Sequence, residues 1–142
     1  MGYTHILAAF DGSNLSRKAL EHAIELAKAA SSKLSVVHVY RLPIMNSGDM
    51  LITAPPTWAE QYEEESYRRL EAAKEIAGDA VSAEYHLLQG DPSRTLLDFA
   101  EQNGVDLIVT GSRGLGAIRE FVLGSVSHNV VQHAKIPVLV VK

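Results

Sequence analysis

The chain has 142 residues, 46% of them hydrophobic and 21% charged, which suits one soluble globular domain with a single buried core and excludes wholesale disorder. Thirteen basic against seventeen acidic residues give a net charge of -4, a balance that argues against nucleic acid as a partner. Cysteine is absent, which excludes disulfides, thiol nucleophiles and thiolate metal sites.

The opening segment, "MGYTHILAAF", lacks the basic start and long apolar stretch of a secretory signal, and no apolar run approaches the roughly 18 residues of a membrane span. A cytoplasmic protein without a membrane partner is the expectation. "HILAAF" (5–10) reads as a strand buried on both faces, ending at the turn signal "DGS". Leu15, Ala19, Leu20, Ala23, Ile24 and Ala27 then form one stripe of a helix, with Ser13, Asn14 and Ser16 available to cap it. "KLSVVHVY" (33–40) reads as a second strand.

Residues 41–57 have no steady period, three prolines and a glycine, and are expected to form a long surface loop. A helix over 58–77 follows, acidic near its start and basic further on, as its dipole prefers. "VSAEYHLL" (81–88) alternates like an edge strand. In "QGDPSRTLLDFAEQNG", Asp91 or Ser93 can cap a helix that Pro92 opens. "VDLIVTG" (105–111) is a strand ending in glycine, 117–133 is helical, and "IPVLVVK" (136–142) is the last strand. Alternation of this kind predicts a doubly wound α/β domain over 1–142, with helices on both faces of a five-stranded parallel sheet in the order 3-2-1-4-5.

Ligands of such sheets bind beyond the carboxyl ends of the strands, where strand order reverses. Two loops have suitable residues there: "AFDGS" after the first strand and "TGSRGLG" after the fourth. Gly111 and Gly114 lack Cβ atoms and are expected to allow positive φ and close approach to an oxyanion, in a nest of amides. Gly124 would break the helical stretch, so that a new helix opens at Ser125 with its first amides aimed into the crevice. Either cluster alone reads as a simple turn; together, after the fourth strand of an alternating fold, they favour phosphate. No Gly-Lys-Ser/Thr is present, which excludes a Walker loop, and Arg119 stands where a dinucleotide fingerprint needs its third glycine.

The pattern Gly111-Ser-Arg-Gly114, nine residues, then Gly124-Ser125 resembles the nucleotide-binding signature of the universal stress protein family. "FDGS", "VVHVY", "QGDPSRTLLDFAEQNGVDLIVTGSRG" and "IPVLVVK" extend the resemblance over most of the chain, with 41–80 the least distinctive part. The resemblance implies a Rossmann-like fold, a homodimer paired through the last strands, bound ATP and a regulatory role in the stress response; magnesium on the phosphates is expected from the preference of hard cations for oxygen. Carried over residue by residue, Asp11 would lie by adenine and ribose, and Val39 would present backbone to the adenine edge. Gly111, Arg113, Gly114, Gly124, Ser125, Val126 and Ser127 would surround ribose and phosphates. Ala9 stands where several nucleotide-binding relatives have proline, which alters the packing beside the base.

No catalytic residue is assigned, and slow or absent hydrolysis is expected. Arg113 could offset phosphate charge or be a solvated loop cation; Asp11 could help hold a divalent metal or simply form the turn. Ser112, Ser125 and Ser127 lack the context of a serine hydrolase nucleophile. His128 and His133 are five apart and do not share the helical face that a zinc pair needs. Two further readings stay open at this level: a genuine ATPase or phosphotransferase using the same pocket, and an interaction module independent of nucleotide.

Overall fold

The fold was taken from a computed structural model, which describes residues 2–42, 44–47, 50–53, 55–114 and 123–142. Five strands, β1 (His5–Ala9), β2 (Lys33–Tyr40), β5 (Ala83–Gln89), β6 (Leu107–Gly111) and β7 (Val138–Val141), form one sheet in the order β5-β2-β1-β6-β7. Every neighbouring pair in it is parallel. Counted by themselves, these strands have the expected 3-2-1-4-5 order, with β5 at one edge and β7 at the other.

The helices divide between the two faces. Ile6, Ala8, Leu34 and Val36 pack with α1 (Asn14–Ala30) and α2 (Pro56–Ala77) on one face. Leu7, Val37 and Ile108 pack on the other face, with Leu96, Phe99 and Ala100 of α3 (Pro92–Gln102) and Val130 of α4 (Ser125–His133). Alternate residues of one strand thus feed two separate cores, which is why β1 and β2 read as unbroken apolar runs. None of the described helices is long and apolar enough to cross a membrane.

Local chemistry sets most boundaries. Ser13 caps α1 by accepting from the Ser16 N–H, and Asp91 caps α3 by accepting from the Arg94 N–H. Of the two candidate caps for α3, Asp91 is therefore the one used, while the Ser93 hydroxyl donates to the Asp91 carboxylate. Helix α2 opens at Pro56, two residues before the expected start, because proline suits a first helical position. The third strand of the sheet runs over 83–89 instead of 81–88. The β6 strand begins at Leu107 instead of Val105, whose N–H is still bound back to the Ala100 carbonyl of α3.

One expectation needs correction. The segment 41–57 is not a plain loop: β3 (Ile44–Ser47) and β4 (Met50–Thr53) pair antiparallel, with Ile44 opposite Thr53 and Ser47 opposite Met50. Pro55 and Pro56 lie beyond the paired residues, where they remove no ladder hydrogen bond, and Pro43 lies outside the described residues. Gly48-Asp49 between the strands has the composition of a two-residue hairpin connection. Of the helical stretch expected over 117–133, residues 125–133 are helical and 115–122 lie outside the described residues.

Candidate functional site

The switch point lies between β1 and β6, which pair directly, so the loops that leave their carboxyl ends are neighbours. In the first, Gly12 adopts φ +89 and so turns the chain where a side chain would be strained. Asp11 accepts the Ser13 N–H at 2.9 Å through Oδ1. Its Oδ2 lies so close to Gly114 of the second loop that a Cβ on Gly114 would overlap it.

The second loop is fixed by one carbonyl. Ser112 donates its N–H to Val141 of β7, and its own oxygen accepts the Gly124 N–H at 2.7 Å and the Ser127 hydroxyl at 2.7 Å. Residues far apart in the signature are thereby sewn into one wall. Gly124 occupies the N-cap of α4 at φ -69, ψ 167, and having no side chain it leaves the first amides of that helix without a side-chain cap. A helix start without a side-chain cap favours an anion.

Two details of the glycine reading are corrected here. Neither Gly111 nor Gly114 has positive φ. A Cβ on Gly111 would come within 3.0 Å of the Leu15 backbone, and one on Gly124 within 3.3 Å of the Arg113 Cα. These glycines permit close approach of protein to protein: β6 against the start of α1, and the first glycine loop against the second.

A cavity of about 370 Å³ opens at this junction. Ala9, Asp11, Val39, Gly111, Arg113, Gly114, Gly124, Ser125, Val126 and Ser127, all the residues expected to form the site, line it. Ser127 is buried with its hydroxyl turned back on Ser112 and Gly124, so its part is to brace the wall. Among the described residues Arg113 forms no ion pair, whereas Arg41 is held by Asp91 and Arg69 by Glu65. No cluster of three or more histidine, aspartate or glutamate side chains gathers among the described residues.

Sequence reasoning missed one whole wall. Tyr62, Glu65, Ser66 and Arg69 of α2 line the cavity, together with His38, Tyr40 and Arg41 at the end of β2. The signal was present in the periodicity: Leu70, Ala73 and Ala77 are buried on one stripe, which continued towards the helix start reaches Ser66 and Tyr62. Burial, reinforced by the charge of Glu63 and by Tyr67, pushes the Tyr40 hydroxyl above its usual pKa. His38 is buried, and its Nδ1 donates to the Phe10 carbonyl at 2.8 Å.

Comparison with known proteins agrees with this architecture. Residues 2–142 match the model of the universal stress protein family. The chain belongs to the universal stress protein family. Universal stress protein YxiE of Bacillus subtilis is 37% identical over 147 aligned residues, covering 99% of each chain. A crystal structure of a universal stress protein in complex with cAMP superimposes with a TM-score of 0.73 at 29% identity, over 99% of this chain and 98% of that one. The universal stress protein of Archaeoglobus fulgidus in complex with dAMP gives 0.72 at 27% identity, over the full length of both.

Proposed function

We propose that the protein binds an adenine nucleotide, ATP in the first place, as a regulatory component of the stress response. The observation that carries the reading is the shared Ser112 carbonyl: it unites Gly111–Gly114 with Gly124–Ser127 as one wall, with Asp11 against Gly114 and Val39 in the same cavity. Phosphates would lie against the first amides of α4, at Ser125 and Val126, with Arg113 beside them, and magnesium would be shared between phosphate and Asp11. The base would lie by Ala9 and Val39. The two relatives in complex with cAMP and dAMP support an adenine nucleotide as the ligand class.

Slow or absent hydrolysis is part of the same reading, with Glu65 held by Arg69 and Asp11 given to the magnesium. Nucleotide occupancy would be transmitted through Tyr40 and Arg41, which line the cavity and lead into the β3–β4 hairpin. A cytoplasmic location suits such a role.

The deciding experiment is mass spectrometry of the small molecule that copurifies, followed by calorimetry with ATP, ADP and AMP in the presence of magnesium. Submicromolar to micromolar binding of one of them is the expected result; no binding of any of the three overturns the proposal. The same reading includes a homodimer paired across β7, whose edge exposes Leu139. Light scattering that gives a strict monomer would remove that part.

A further inference from the structure

The α2 wall of the cavity holds a cation that the glycine signature does not contain. Arg69 lines the cavity and is half-buried, whereas Arg68 next to it is exposed and pairs with Glu64. The Arg69 side chain is laid across the first loop: a Cβ on Gly12 would touch its Cγ and its Cδ, each at 3.6 Å. The same loop meets the second through Asp11, whose Oδ2 lies against Gly114, and Gly114 in turn adjoins Gly124 at the start of α4. One continuous run of contacts thus leads from Arg69 around the mouth of the cavity to the helix start where an anion is favoured.

Three arginines, Arg41, Arg69 and Arg113, line the cavity, and they are committed to different degrees. Arg41 is bound to Asp91, a carboxylate that also caps α3. Arg69 is fixed through Nη2 alone, by Glu65 at 2.9 Å. A guanidinium has five N–H donors in a rigid fork, and the remaining donors of Arg69 have no bond among the described residues. Glu65 therefore orients the group without using it up. A cavity arginine with donors to spare suits phosphate, whose oxygens it can meet in pairs.

We propose that Arg69 binds the phosphate tail of the nucleotide, reaching it from α2 over Gly12 as a second cation in addition to Arg113. The inference rests on the nucleotide reading above and adds to it a phosphate-binding residue outside both loops of the switch point.

The test is calorimetry with magnesium and ATP over a series of salt concentrations, on the wild type, Arg69→Met and Arg68→Met. Methionine keeps an unbranched stem over Gly12 and removes the charge. Arg68→Met makes the same change of charge on the same helix, at a residue that does not line the cavity. At low salt Arg69→Met should bind ATP about tenfold more weakly than the wild type, and Arg68→Met should stay within about twofold. The gap between the wild type and Arg69→Met should narrow as salt rises, because a contact between charges is screened and a packing contact is not. Arg69→Met that binds like the wild type, an equal loss in both variants, or a gap that salt leaves constant overturns the assignment while leaving nucleotide binding intact. A wild type that binds no ATP overturns the nucleotide reading, and this inference with it. Should Arg69→Met fail to fold, the ¹⁵N spectrum of arginine-labelled wild type decides. The Arg69 Nε resonance, identified by its loss in Arg69→Lys, must move on saturation with ATP, and an unmoved resonance refutes the proposal.

Discussion

The Gly124 amide and the Ser112 carbonyl meet at 2.7 Å, and this one hydrogen bond closes the two halves of the glycine signature onto each other. There is little room beyond a Cβ at Gly124: it would lie a tight 3.3 Å from the Arg113 Cα and in ordinary contact with the Ser112 oxygen at 3.6 Å and the Gly114 nitrogen at 3.7 Å, so that a branched side chain has nowhere to go. All three are backbone atoms and cannot swing aside. Gly124→Val should therefore part the walls and weaken ATP binding by at least tenfold, about 1.4 kcal/mol, while circular dichroism still reports the fold. The backbone at φ -69, ψ 167 suits any residue, so strain at position 124 itself does not confuse the outcome. Unchanged affinity by calorimetry would refute the role given to this contact.

Gly111 is bound by a different neighbour and should fail differently. Its Cβ would fall 3.0 Å from the Leu15 carbonyl carbon and 3.1 Å from the carbonyl oxygen, where β6 passes under the start of α1. Overpacking of this kind costs about 1–3 kcal/mol. Gly111→Ala should lower the midpoint of chemical denaturation accordingly, and a midpoint equal to that of the wild type would show that α1 yields freely.

What the sequence made legible follows from how each signal is encoded. The buried strands announce themselves because parallel strands covered on both faces are apolar throughout, and Asp91-Pro92 marks a helix start through two local effects at once. The adjacency of the Asp11 and Gly114 loops was available from topology, since β1 and β6 are the strands at which the order reverses. The direction in which each glycine's missing Cβ would point was not available, because it depends on which backbone passes alongside. The α2 wall escaped for a related reason. Glu65 and Arg69 read as an ordinary i,i+4 surface pair, and only the packing of Leu70 and Ala73 brings that face of the helix over the end of β2. The β3–β4 hairpin was hidden by the prolines that flank it.

Acid should expose the cap of α3. The Arg94 N–H holds the Asp91 carboxyl below its ordinary value of 3.8; burial opposes this, and the Ser93 hydroxyl with the charges of Arg41 and Arg94 adds to it. Because the folded pKa is the lower one, the carboxylate contributes its stabilisation above the unfolded value and loses it as pH falls through the folded value. Asp91→Ala should cost about 1 kcal/mol at pH 7, the usual worth of an N-cap. Urea unfolding repeated between pH 7 and pH 2.5 should show the gap between wild type and variant closing only below about pH 4. A gap that stays constant across that range would mean that the carboxylate charge contributes nothing to the cap.

The buried pair at the other end of the sheet gives a prediction in which stability and binding separate. Ser35 is fully buried in β2, opposite Leu7 of β1, and its hydroxyl lies 2.7 Å from His5 Nε2. In the neutral ring, with Nδ1 of His5 donating to the Asn103 carbonyl, Nε2 accepts and Ser35 is its donor. Ser35→Ala removes that donor and leaves the imidazole nitrogen unmet in a closed interior, at a cost of about 1–3 kcal/mol. Neither residue lines the cavity, so the affinity for ATP, measured well below the melting temperature, should be that of the wild type. Loss of binding without loss of stability would reverse the assignment of this pair to the frame of the sheet.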